Sequence, residues 1–503
     1  MVLSVSSAQA AAVSTAAPSK LSGYEAALRG ATPAHTAMSS SAPSGNISNN
    51  VEFVANIPAL VSAISIAFIG NDMFVSTVHG VYAYDISDVA NPQLLGAIPM
   101  YIWENEHMTA DAGRHLIFVS RDPRGFTTPL TSGGTFPYGA IHIIDVSNPT
   151  TMHQVGFFTL PVGHTSTCIG DCRYIWTGGP AAGTALPADW GGRPIRATDV
   201  SDPLHPVDCG KWLDTGANDG KTDYAHSIDI DDNGVVWVSG RGHVRGFWTG
   251  GPHVNPVDRK VETASPCDPI PYAGGGTNEG NRAEAIIHNS WHDPSASVDG
   301  RSGDVLYATE EDTTTDCKLA GRFLTYDIGG SYHGEGFANT DKTHFRLAKL
   351  DQWTPQGQPG STGCDSAHWF TERGQTHLIA EAFYSQGTRF LDVSDPRHIR
   401  QAGYFNAGGD TWAAYWRPDN IVVTADFVRG VDILRYHDVA PGAVAGASSG
   451  ASQPSQSAAA APLPNTAVAQ VAGERPALLS VVLAALLILP ALALGRRSRR
   501  RRG

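Results

Sequence analysis

The chain has 503 residues, a net charge of −13 and 42% hydrophobic residues. Six arginines crowd into its last eight residues, so the remainder is more acidic than the total implies, which argues against a basic nucleic-acid-binding face. The 54 Gly, 32 Pro and 9% aromatic residues suit a turn-rich β protein better than a helical one.

The N-terminal stretch MVLSVSSAQAAAVSTAAPS has no positive n-region and too short an apolar core for a complete signal peptide. Its Ala-Gln-Ala at residues 8–10 reads as a signal-peptidase site, so a true start upstream is expected, with residues 1–50 disordered. VEFVANI (Val51–Ile57) follows and matches later outer strands such as QVGFFTLP and RQAGYF.

From Ile64 to Asp432 one phrase recurs seven times. Each copy pairs an alternating run, such as HLIFVSR or GVVWVSG, with a closing segment such as YDISDVANPQ, IDVSNPTTMHQ, TDVSDPLHPV or LDVSDPRHIR. Period-2 alternation specifies strands, and Asx-Pro turns separate them. Four short strands per repeat, at a period of roughly 40 to 65 residues, indicate an all-β propeller of seven blades over residues 51–436. The last copy runs out of chain after three strands, and Val51–Ile57 is expected to supply the fourth and close the ring.

Residues 437–475 are an Ala/Ser/Pro-rich linker that contains LPNTA (Leu463–Ala467). Residues 476–495 are an apolar run long enough to span a bilayer as one helix, and 496–503 form a basic tail that would stay in the cytoplasm. The propeller is thereby expected outside, on a single-pass C-terminal anchor. Six cysteines in an exported chain favour disulfides. Cys168 and Cys172 flank a tight turn and suit a local bridge. Cys209, Cys267, Cys317 and Cys364 allow three pairings, of which Cys267 with Cys317 is favoured.

The DVSDP and DVSNP turns resemble those of the LVIVD-repeat family of bacterial surface propellers, over about three quarters of the chain. That resemblance implies the fold and a cell-surface location, and no particular activity. YDIGGSYHG, from Tyr326, departs from the turn pattern. The LPNTA motif, apolar helix and basic tail together resemble the cell-wall sorting signal of Gram-positive surface proteins. The resemblance implies that a sortase cuts between Thr466 and Ala467 and joins the chain to the wall. Ala467 stands where that signal usually has Gly, and a plain membrane anchor is the alternative.

His107, His164, His226, His288 and His368 each open an inner-strand pattern, with Ile64 and Trp412 in the same slot of the first and last copies. Inner strands line a propeller's channel, so these imidazoles are expected to converge at one mouth. Second strands end at that mouth, which adds Arg121, Asp122, Arg241, Glu310, Glu381 and Asp426. Glu104 and Glu106 precede His107, and His292 follows His288. Converging imidazoles are a copper- or zinc-type ligand set, with carboxylates to orient them. Structural hydrogen bonding and metal-free acid/base work are the other readings of the ring. Two functions are therefore carried forward. One is a surface-anchored module that binds an extracellular glycan, peptide or protein. The other is an extracellular metal-binding protein, or a metal-dependent oxidoreductase or hydrolase. Nucleotide-loop, nucleophile-elbow and H-E-x-x-H signatures are absent from the sequence.

Overall fold

Each repeat folds into one antiparallel four-stranded sheet, and seven such sheets make the blades of a propeller. The computed structural model describes residues 46–438, apart from 101, 103, 123–138, 161, 180–194, 213–224, 257, 278, 280–284, 313–320 and 334–345. Inner strands of blades 1 to 7 are Ala63–Ile69, Thr109–Asp111, Thr165–Ile169, Ala225–Ile230, Ala285–Asp293, Phe370–Glu372 and Thr411–Arg417. Blade 4 carries an inserted hairpin, Gly251–Val254 with Val261–Ala264.

The ring closes as its sequence implies. Val51–Ile57 pairs antiparallel with Gly430–Tyr436, from Val51 opposite Tyr436 to Ile57 opposite Val431, and becomes the outer strand of blade 7. Joining both ends of the propeller in one sheet removes two open edges. Order begins earlier than expected, however. Asn46–Ile47 adds to the outer strand of blade 6, and Asn50 Nδ2 donates to Ala402 O at 2.9 Å, so residues 46–50 are tied down by strand pairing and a side-chain bond.

The repeated turns work through their Asx side chains. Asp85, Asp145, Asp199 and Asp392 each accept from the backbone N–H two residues on, at 2.8–3.0 Å. Blade 5 lacks the Asp-Pro step, yet Asp327 Oδ1 caps Gly329 N in the same way at 2.8 Å. Between blades, apolar faces pack into shared cores; Met73 and Val75 of blade 1 lie with Val423 and Ile433 of blade 7, all fully buried. Each such side chain contributes about 1.5–3 kcal/mol.

A second tie links blades through hydroxyls near the ends of second strands. Ser76 Oγ lies 3.5 Å from Asn105 O, Ser120 Oγ donates to His164 O, and Thr309 Oγ1 to His368 O, so one blade holds the chain entering the inner strand of the next. Cys168–Cys172 is bridged, and Cys209 is bridged to Cys267, joining the outer strand of blade 3 to the blade 4 insertion. This corrects the Cys267–Cys317 expectation: the insertion returns Cys267 toward blade 3. Cys364 is also disulfide-bonded, and Cys317 lies outside the described residues. Residues 1–45, the linker with Thr466 and Ala467, the apolar run and the basic tail also lie outside them. Among the described residues no helix is long and apolar enough to cross a membrane.

Candidate metal centre

Four histidines, in or just before the inner strands of blades 3 to 6, converge on one carboxylate at the channel mouth. His288 Nε2 is 2.9 Å from Glu106 Oε2, His164 Nε2 is 3.1 Å and His226 Nε2 3.5 Å from the same oxygen, and His368 Nε2 is 3.6 Å from Oε1. The Nε2 atoms of His164 and His226 lie 3.0 Å apart. Consecutive rings from His226 to His288 to His368 are 4.3 and 3.8 Å apart between centroids. All five side chains are buried, Glu106 being the most exposed of them at 6%.

Backbone features explain why these residues meet. The inner strands of blades 4 and 5 shift register between Ala225 and Ile228 and between Ile287 and Ser290, bulges that turn His226 and His288 inward. Gly163 lets the chain cross against Arg121 O, and Gly179, at φ +115°, leaves room for His164 Cβ; a side chain at either position would displace His164.

Second partners orient the rings. His164 Nδ1 lies 2.8 Å from Asp122 Oδ2, His226 Nδ1 lies 3.3 Å from His288 O, and His368 Nδ1 lies 2.5 Å from Trp412 O. Carboxylate and carbonyl oxygens only accept, so each Nδ1 carries a proton, and in the neutral ring each of these three Nε2 atoms keeps its lone pair on the Glu106 side. His368 Nε2 has no hydrogen-bond partner. Burial disfavours the Glu106 carboxylate, but His164, His226, His288 and His368 outweigh this and hold its pKa well below the usual range. Burial, then repulsion from His288, pushes His226 well down, and burial with His368 lowers His288. For His368, burial is outweighed by Glu106 and Glu311, and its pKa rises.

His107 is not part of this cluster. A parallel bridge pairs His107 with Thr165, which sets Glu106 level with His164. His107 points deeper into the channel, with Nδ1 3.0 Å from Thr167 Oγ1 and its ring 5.0 Å from Trp369. Burial lowers its pKa to about 4. One residue of register exchanges the two side chains, as alternation in a strand requires. A threonine three residues after the ring member, present as Thr109, Thr167 and Thr371, is the sequence signal that marks Glu106 and not His107.

The expected mouth residues divide. Asp122 supports His164, and Glu104 brings a carboxylate oxygen within 4.8 Å of the Glu106 and His164 ligand atoms. Arg241 is half-buried and Arg121 buried at the ends of their second strands. Glu310 pairs with Arg322 at 2.6 Å. Asp426 caps the turn after its own strand, accepting from Val428 N and Arg429 N. Glu381 occupies the hydroxyl position of blade 6 and accepts from His368 N at 3.2 Å; burial raises its pKa well above the carboxylate range. His292 lies at the far end of its strand, between Asp231 Oδ2 at 2.6 Å and Gly303 O at 2.8 Å. That strand end also carries Asp293, which with Glu372 and His377 forms a second carboxylate and imidazole group.

The chain matches no protein-family model and no curated protein sequence. Among solved structures it is similar to the WD40 repeats of RRP9, at 9% identity and a TM-score of 0.47, over 78% of this chain and 100% of that one. It is also similar to U3-55K, at 10% identity and a TM-score of 0.48, with the same shares covered.

Proposed function

We propose that the chain is a surface-held propeller whose channel mouth carries a mononuclear metal centre and presents it to an extracellular ligand. The core ligands are Glu106, His226 and His288, whose ligand atoms all lie within 4.8 Å of one another, with His164 and His368 flanking them. The observation that carries this is the convergence of four Nε2 atoms on one carboxylate, at 2.9–3.6 Å. Metal–ligand bonds of about 2.1 Å place neighbouring ligand atoms roughly 3.0–3.4 Å apart, so these separations match the edges of a coordination polyhedron. Hydrogen bonds on Nδ1 aim the lone pairs of three rings inward, the arrangement in which a second shell supports ligating imidazoles.

Imidazole and carboxylate donors without sulfur suit copper, zinc or iron, while calcium prefers oxygen. Such an ion supplies Lewis acidity or, for copper and iron, electron transfer, which fits an extracellular oxidoreductase or hydrolase. The surface location rests on the LVIVD-type turns and on the sorting-like LPNTA, apolar run and Arg tail.

Elemental analysis of the full chain, purified without a polyhistidine tag or chelating resin, tests the centre. About one equivalent of copper, zinc or iron is expected. A His226→Ala/His288→Ala variant is expected to lose it while keeping its β-sheet circular dichroism. Protein that takes up no metal on refilling sinks the reading.

A further inference from the structure

Below the cluster Trp369 packs 6.0 Å from the His288 ring and 5.0 Å from that of His107. On the mouth side of the cluster, blades 5, 6 and 7 contribute Glu311, Tyr384 and Trp412. The Tyr384 ring stands 4.8 Å and the Trp412 ring 5.3 Å from that of His368.

Tyr384 has φ +37°, a left-handed conformation that a bulky aromatic residue avoids. Its carbonyl accepts from Gly387 N and Thr411 N, both at 3.0 Å, and Ser385 N next to it bonds Asp365 Oδ2 at 3.2 Å. Strain of this kind persists where surrounding bonds over-determine it, and it collects at ligand sites. Here it sets the ring over His368. The phenol donates its proton to Glu311 Oε1 at 2.6 Å, and Tyr384 is the only hydrogen-bond partner of the half-buried Glu311 side chain among the described residues. Asp410, half-buried, accepts from Trp412 Nε1 at 3.3 Å. Trp412 also stacks on Phe427, 5.1 Å between centroids.

We infer that Tyr384 and Glu311 form the ligand-recognition wall of this centre and that they select a primary amine with an apolar body. With its proton committed to Glu311, the phenol oxygen can only accept, and both carboxylates can only accept. A ligand bound through nitrogen would direct its N–H groups at Tyr384 and Glu311 and lay its body on Trp412. An anion would meet Glu311 and Asp410 as like charges. This inference rests on the metal-centre reading above.

The test uses the full chain loaded with Cu²⁺, whose visible absorption responds to exchange of a ligand, titrated with benzylamine and separately with azide. Benzylamine is expected to shift the band at a concentration at least about tenfold lower than azide, a difference of one charge-assisted hydrogen bond. Tyr384→Phe and Glu311→Gln are expected to hold the same copper and to lose that preference. Copper retained with azide binding as well as benzylamine, or with both variants behaving as wild type, overturns the inference and leaves the metal centre standing. Protein that takes up neither copper nor zinc nor iron overturns both.

Discussion

Asp122 Oδ2 stands 2.8 Å from His164 Nδ1, with both side chains sealed from solvent. The carboxylate fixes which nitrogen of His164 carries the proton and so delivers a lone pair toward Glu106. Asp122→Asn keeps the shape but can present an N–H to Nδ1, which moves the imidazole proton to the ligating nitrogen. Metal affinity should fall about 10–100-fold with the fold intact. Competition against a chelator of known strength measures this, and unchanged affinity would mean that Asp122 only fills space.

Glu106 and His107 are neighbours with opposite assignments, and substitution separates them. Glu106→Gln should deplete bound metal. His107→Ala should leave the metal content alone and cost about 1–3 kcal/mol through lost packing on Trp369 and the Thr167 bond. Metal analysis beside urea unfolding reads both effects. If His107→Ala empties the site and Glu106→Gln does not, the register seen here is wrong.

These two residues also mark where sequence reading stops. Blade count, Asx turns and the closing strand Val51–Ile57 were legible, because period-2 alternation and turn chemistry are local. His164, His226, His288 and His368 were legible as one group through their shared repeat position. Glu106 was hidden by the histidine beside it, since choosing between adjacent residues needs the cross-blade pairing of His107 with Thr165. The Cys209–Cys267 bridge was hidden for a similar reason: the path of the blade 4 insertion places Cys267, and sequence spacing does not show that path. Glu381 read as a mouth residue by position, whereas its partner is the backbone of its own blade.

On another part of the propeller, His377 and Asp293 tie blade 6 to blade 5 at 2.8 Å. Hydrogen bonds to Asp293 and then Glu372 raise the His377 pKa from 6.5 to about 10. Asp293 is opposed by burial, but its bonds to His377 and Ser295 carry its pKa well below the carboxylate range. Because the folded-state pKa of His377 is raised, its contribution is complete below about 6.5 and is lost as pH climbs through about 10. The Asp293 contribution is present above about 3.8 and fades only in strong acid. Wild-type protein should therefore lose on the order of 1–2 kcal/mol between pH 7 and 10 from this pair, after allowance for solvent screening. His377→Gln should flatten that slope. Urea midpoints across this range provide the comparison, and parallel wild-type and variant curves would refute the assignment.

The wall-anchoring reading makes a covalent prediction. Chain released from the cell wall by muramidase should end at Thr466 linked to a peptidoglycan fragment, as mass spectrometry of its C-terminal peptide would reveal. A peptide that runs intact into Arg496 and beyond would instead identify a membrane anchor.

Closure of the ring can be tested at Asn56. Its Nδ2 lies 2.9 Å from Asp432 Oδ1, 3.2 Å from Val431 O and 3.1 Å from Arg429 O, so one side chain in the N-terminal strand serves three acceptors in the last blade. Asp432 is buried; burial raises its pKa, and Arg429 and Asn56 partly offset that. Asn56→Ala removes the donor and leaves Asp432 with less compensation, at a cost of about 1–3 kcal/mol. Removing the closing strand entirely would expose the edge at Gly430–Tyr436 and is expected to cause association as well as destabilisation. The point variant should stay monomeric and unfold earlier in urea, while deletion through Ile57 should elute as larger species. If the deletion variant remains monomeric with unchanged stability, the strand is an ornament of the propeller and not its closure.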